Sequence, residues 1–178
     1  MKSLCLALVA IFTLSSFALP EPPVTEATIE WLSWEEAMRR MENEPKKVFI
    51  DVYTDWCGWC KKMDASTFVD PAVTKVMNEH FYAVKLDAEQ QADIVFDSHT
   101  FKYRSDVGRR GLHELAYALL DGKMSYPSFV YMDAEVQRIS ISPGYKDAAG
   151  MYTELSYIGN DHFKDMTFEA FKAANSGK

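Results

Sequence analysis

Asp51-Val52-Tyr53-Thr54-Asp55-Trp56-Cys57-Gly58-Trp59-Cys60-Lys61-Lys62 is the stretch that decides how this chain is read. An apolar, β-prone run beginning near Val48 ends in two cysteines spaced Cys-x-x-Cys, and a helix-like segment follows. That order places the first sulfur where a strand hands over to a helix. A helix start carries unpaired N–H groups and a partial positive charge, both of which favour a thiolate. The thiolate is the reactive form of cysteine, so Cys57 is placed as a low-pKa nucleophile. Cys60 lies one turn further on and can close a disulfide with it.

Other uses of two cysteines fit less well. Zinc sites take four ligands, and the third cysteine, Cys5, lies in an apolar leader. His80, His99, His113 and His162 are scattered and show no paired spacing. A c-type haem needs histidine after the second cysteine, where Lys61 stands. A purely structural disulfide would close a loop too short to remove much chain entropy. A redox-active dithiol, with no metal, remains the reading that Cys-x-x-Cys beside a βαβ-like pattern supports.

The chain has 178 residues and a net charge of −7, with 48% hydrophobic residues. That is enough for one globular domain. The acidic balance argues against nucleic acid as a partner, because there is no basic field to neutralise phosphates. Residues 1–18 read as a signal peptide: Lys2 forms a positive n-region, Leu4–Leu14 an apolar core, and Ser16-Phe17-Ala18 a small-residue cleavage site. The alternative is an uncleaved anchor. Residues 19–32 read as a Pro- and Glu-bearing linker or N-terminal extension, and 33–178 as the folded domain.

Within the domain, Ser33-Trp34-Glu35-Glu36 is a capping box opening a helix to about Glu44. Val48–Tyr53 reads as a strand buried on both faces, with Asp51 the anomaly inside it. A helix from Cys57 to about Ser66 precedes a second one that Asp70-Pro71 starts. Phe81–Leu86 is the next strand. Residues 88–123 form a long, loosely patterned connection in which Phe96, Phe101 and Tyr103 are candidate core anchors and Leu112–Leu120 a helix. Ser128–Met132 and Gln137–Ile141 make a hairpin, followed by helices from about Asp147 to Ile158 and Thr167 to Ala174. Strand-helix-strand implies a parallel pair through a right-handed crossover. The fold class is therefore α/β, a mixed central sheet with helices on both faces.

Over Lys46–Ile158 the chain resembles the thioredoxin-fold family. Trp56-Cys57-Gly58-Trp59-Cys60-Lys61 is similar to that family's Trp-Cys-Gly-x-Cys-Lys active site. Asp51 stands six residues before the first cysteine, where thioredoxins keep a buried acid. Lys85-Leu86-Asp87 resembles the strand carrying that acid's lysine partner. Tyr126-Pro127 falls at the cis-proline position, and Gly144 at a glycine after the last strand. With Thr67-Phe68-Val69-Asp70-Pro71-Ala72-Val73, the stretch is most similar to exported thioredoxin-like domains, including the C-terminal domain of the interchange protein DsbD. Two features depart from the pattern. Trp59 replaces the proline of thioredoxin, and the 88–123 connection before the cis-proline position is longer by about twenty residues, beyond a typical loop.

The resemblance implies an exported, periplasmic or secreted thiol-disulfide oxidoreductase that reduces protein disulfides, without a cofactor, using electrons from a membrane-bound donor. It implies Cys57 as nucleophile, Cys60 as resolving thiol and Asp51 as proton acceptor for Cys60, set against a structural Asp51–Lys85 ion pair. Trp56, Gly58, Trp59, Tyr126 and Pro127 would meet the substrate, with Trp56 equally able to be simple packing. A disulfide oxidase or isomerase, and a client-binding module without catalysis, remain alternatives. His113-Glu114 reads as a polar surface feature.

Overall fold

The apolar run around Ile50 forms strand β2 (Lys47–Tyr53), in which every residue from Val48 to Val52 is buried. In the computed structural model, which describes residues 28–175, this strand lies at the centre of a five-stranded sheet. It pairs parallel with β3 (Phe81–Asp87) and antiparallel with β8 (Ser128–Met132). β1 (Trp31–Leu32) extends one edge beside β3, and β9 (Arg138–Pro143) the other beside β8, giving the order β1-β3-β2-β8-β9. Trp31–Leu32, read from sequence as part of an extension, thus belongs to the sheet; two residues are too few to show a strand period. The leader expected over residues 1–18 lies outside the described residues.

Alternation along β2 divides the core in two. Val48, Ile50 and Val52 pack with Trp34, Ile94, Leu115 and Leu119 on one face. Phe49 packs with Met63, Val73, Phe129, Met151 and Leu155 on the other. The first face is covered by α1 (Trp34–Met41) and α4 (Glu114–Leu119). The second is covered by α2 (Gly58–Ala65), α3 (Pro71–His80), α5 (Ala148–Gly159) and α6 (Phe168–Asn175). The period of two places Asp51 on the face of Phe49, which is also the face of α2.

The helix starts follow their capping residues. Asp70 accepts from the N–H groups of Ala72 and Val73, with Pro71 at the first helical position. Asp147 accepts from Gly150 N–H, and Thr167 Oγ1 from Ala170 N–H. Ser33 accepts from Glu36 N–H, but the expected return bond is not made. The Glu36 carboxylate is taken instead by Arg39 and Arg40, charged partners one turn along the same helix.

The 88–123 connection is structured. β4 (Ile94–Phe96) and β5 (His99–Phe101) form one hairpin, and β6 (Tyr103–Arg104) pairs with β7 (Leu112–His113). Leu112 and His113 are therefore strand and not the first turn of α4. Phe96 packs edge-on against Trp34, with ring centres 5.1 Å apart, and both Phe96 and Phe101 lie against the first core face.

His113, expected on the surface, is fully buried. Its Nε2 lies 3.1 Å from the Ala92 carbonyl, and its Nδ1 accepts from Leu115 N–H at 3.3 Å. Burial holds the imidazole below its ordinary range. The neutral ring then donates through Nε2–H and caps α4 through Nδ1. It ties three parts of the connection together, since its backbone N–H also donates to Ala88 O. His113→Leu keeps bulk but leaves two backbone groups without their partner. It should lower stability by about 1–3 kcal/mol, measured by urea unfolding; a loss below about 0.5 kcal/mol would contradict this role.

Candidate active site

β2 ends at Tyr53, and the chain turns so that Cys57 N–H donates to Thr54 C=O at 3.0 Å. Cys57 then stands at the N-cap of α2 in extended backbone, its Sγ accepting from Cys60 N–H at 3.1 Å. A sulfur thus fills the place usually held by a hydroxyl or carboxylate oxygen. The first turn of α2 holds no acidic residue to offset its positive end. Cys57 and Cys60 are joined as a disulfide. Both are largely covered, at 5% and 3% exposure, so Cys57 is the more open by only a small margin.

Asp51 is 1% exposed. Lys85, its register partner on β3, places Nζ 2.7 Å from Oδ2. The same ammonium pairs with Asp64 on α2, a partner the sequence reading missed. Oδ1 has no hydrogen-bond partner among the described residues. Burial pushes the Asp51 carboxyl up to about 6, outweighing the pull of the Lys85 charge and hydrogen bond. Burial acts on Lys85 in the opposite sense, yet Asp51 and Asp64 prevail and raise it, keeping the ammonium charged. Nζ also lies 4.7 Å from the Trp31 ring centre and 5.1 Å from that of Tyr53. Aromatic faces accommodate a partly desolvated cation, so β1 contributes to the site through Trp31.

The Tyr126–Pro127 peptide bond is cis, as the resemblance implies. Pro127 precedes Ser128, which lies opposite Val52, so the proline meets the end of β2 that leads to the cysteines. Gly144 N–H donates to Pro127 C=O at 2.8 Å. Gly144 has φ +94° with open space where a side chain would go, so backbone conformation and not crowding favours glycine there.

Around the disulfide stands an aromatic rim. Trp56 and Trp59 are 51% and 56% exposed, so Trp56 is not simple packing. Trp56 lies edge-on to Tyr126 at 5.8 Å, its Nε1–H donating to Glu89 Oε1 at 2.8 Å, with the Arg110 guanidinium 5.6 Å from the ring centre. Trp59 rests against Tyr145 at 5.0 Å, and Lys62 Nζ lies 5.0 Å from both rings. Gly58 is exposed with no atom within 4 Å of a would-be Cβ. Sequence reasoning missed Glu89 and Tyr145, which are distant from the cysteines in sequence, and set aside Arg110 and Lys62 because Arg109-Arg110 and Lys61-Lys62 are too small to read as basic patches.

The sequence matches the Thioredox_DsbH family, described as "Protein of unknown function, DUF255", over residues 22–149. It is 33% identical to an uncharacterized Caenorhabditis elegans protein over 67 residues, 37% of this chain and 9% of that protein. The chain thus spans about a tenth or less of the curated relatives that head the comparison. It is 24% identical to the disulfide bond reductase DsbH of Chlamydia pneumoniae over 127 residues, covering 68% of this chain and 69% of that one. Identity to the thiol:disulfide interchange protein DsbD of Escherichia coli is 34% over 68 residues, 38% of this chain and 12% of that one. A solved structure titled "DsbH Oxidoreductase" superposes with a TM-score of 0.54 at 17% identity, covering 85% of this chain and 95% of that one, and shows the thioredoxin fold. Because the family model matches residues 22–149, well over half of its length, the chain belongs to the Thioredox_DsbH (DUF255) family.

Proposed function

We propose that this protein is an exported thiol-disulfide oxidoreductase that reduces protein disulfides. The observation carrying this reading is Cys57 at the start of α2, its sulfur bonded by the Cys60 N–H and joined to Cys60, on the helix that packs on the same sheet face as the buried Asp51. In the reduced protein the same N–H and helix end favour the Cys57 thiolate. That thiolate attacks one client sulfur; the client S–S bond breaks and its second sulfur leaves as a thiolate that takes up a proton. Cys60 then loses its proton and attacks Cys57 Sγ, releasing the first client sulfur. Two electrons pass to the client, and the Cys57–Cys60 disulfide is left for an external dithiol to reduce. A membrane-bound thiol donor fits an exported compartment that lacks a cytosolic reducing pool. The name of the C. pneumoniae relative, a disulfide bond reductase, supports the reducing direction.

Trp56, Trp59, Tyr126 and Pro127 form the client-facing rim, with Gly58 keeping the approach to Cys57 clear. Pro127 sets the Tyr126 backbone for an extended client chain to pair with by β-addition. The role assignment predicts opposite outcomes for the two cysteines. Cys60→Ser should accumulate a covalent mixed disulfide with a protein substrate on non-reducing gels, whereas Cys57→Ser should not. Equal trapping by both variants would refute the order of attack.

Asp51 is the acceptor of the Cys60 proton in this scheme. Its carboxyl, at about 6, is ionised at neutral pH and can take a proton as Cys60 attacks. The resolving step should therefore speed up as pH rises through about 6. Asp51→Asn should slow it by about 10- to 100-fold at pH 7 and flatten that rise, read by rapid-quench decay of the mixed disulfide; an unchanged profile would remove the base role.

The same shift has the opposite sign for stability. The folded carboxyl holds its proton to higher pH than the unfolded one, near 3.8, so this group destabilises the fold progressively as pH climbs from about 4 to above 6. A displacement of about two pH units corresponds to at most ~3 kcal/mol. Asp51→Asn should accordingly be more stable than wild type at pH 7.5 and lose that advantage at pH 4, by denaturant unfolding at both values. Lower stability of Asp51→Asn at pH 7.5 would mean that the Lys85 ion pair, and not burial, dominates.

A further inference from the structure

The long connection before the cis-proline builds a wall beside the dithiol. Between β6 and β7 the chain forms a tip, residues 105–111, that faces Trp56 and Tyr126. A cavity of about 680 Å³ opens between them, lined by Trp56, Glu89, Arg109, Arg110, Met124 and Tyr126 among others.

The tip is anchored. Tyr103 Oη–H donates to Arg110 C=O at 2.6 Å. Gly111 has φ +73°, and a Cβ there would stand 2.2 Å from Tyr103 Oη, so glycine alone lets the tyrosine close over the loop. Arg104 pairs with Asp106 and Glu114, and His113 secures the base from inside the core.

Charge in the cavity is unevenly committed. Glu89, the acid in its wall, accepts the Trp56 indole N–H. Arg39, Arg40, Arg104 and Arg138 are each paired with a carboxylate. Arg109 and Arg110 are the two remaining arginines of the chain, and they form no ion pair among the described residues. In a protein of net charge −7, these two arginines stand side by side in one cavity, exposed, with Arg110 held over Trp56. Trp56 adjoins Cys57 and Tyr126 adjoins Pro127 in sequence, so two walls of the cavity belong to residues next to the dithiol and the cis-proline. An extended chain advances about 3.3 Å per residue, which brings a side chain one to three residues from the client cysteine into it.

We infer that this cavity is a specificity subsite for a polypeptide client carrying Asp or Glu within three residues of its reactive cysteine, with Arg109 and Arg110 recognising the carboxylate. The inference rests on the oxidoreductase reading and names the client class for it.

The test uses the full-length protein, reduced beforehand and freed of reductant. It is reacted in single turnover with three symmetric peptide disulfides that differ only in Glu, Gln or Lys two residues from the cysteine. Each turnover oxidises Cys57–Cys60 and yields two peptide thiols, so no further reductant enters. Each rate is divided by that of the same peptide with dithiothreitol, which removes intrinsic reactivity. The Glu peptide should react about fivefold faster than the Lys peptide at low salt, as two exposed charge pairs allow. That ratio should shrink toward one at about 0.5 M salt. Arg109→Glu/Arg110→Glu should reverse the ranking; because the ranking is read within one variant, partial misfolding cannot imitate the reversal. Equal rates for Glu and Lys peptides in wild type, or a preference that survives the double variant, would overturn the subsite. No exchange with any peptide would remove the oxidoreductase reading, and the subsite with it.

Discussion

β2 is hydrogen-bonded along both edges, so its register is set twice. Asp51 faces Lys85 on β3 and Phe129 on β8, and Val52 faces Ser128. The rest of the site follows from that constraint. The parallel pairing brings the lysine to the buried acid. The antiparallel pairing brings cis Pro127 to the end of β2 that leads into Cys57. A slip of one residue would turn Asp51 to the opposite core face, away from α2, and separate it from Lys85. Such a slip would also bury Val48, Ile50 and Val52 against the wrong layer, so the hydrophobic pattern and the site geometry specify the same register.

The chemistry depends on groups that the fold holds at a cost. A carboxylate with one oxygen unbonded in the core is unfavourable, and the Asp51 carboxyl is raised to about 6 as a result. Lys85, bridging Asp51 and Asp64 under three aromatic rings, keeps that cost bounded. A carboxyl raised toward neutrality and a weakened fold above that pH are two consequences of one burial. The aromatic rim is similarly mixed in purpose: Trp56 and Trp59 are half exposed, yet each is oriented by an aromatic neighbour and a cation.

Much of this was legible before any coordinates. Asp51 stood out because a charge inside an apolar strand demands a partner, and Lys85 lay on the neighbouring strand. Ser33 and Asp70 marked helix starts because capping chemistry is local. Elements governed by distant contacts were not legible. His113 looked like surface polarity, since nothing nearby in sequence reveals that Ala92 and Leu115 supply both of its ring partners. Glu36 matched a capping box, but Arg39 and Arg40 compete for its carboxylate more strongly than a backbone N–H does. Trp31–Leu32 is too short to carry a period. Residues 88–123 hid two small strand pairs because each strand has only two or three residues. The cavity that their tip forms depends on tertiary placement alone.

The central claim is that Cys57 and Cys60 form a reducing couple. Its most direct test is the reduction potential of that pair in the full-length protein, equilibrated in dithiothreitol and glutathione buffers. The account predicts a reversible two-electron couple near the roughly −270 mV of thioredoxin. A value near the roughly −120 mV of a strong oxidant, or a disulfide that does not exchange at all, would contradict it.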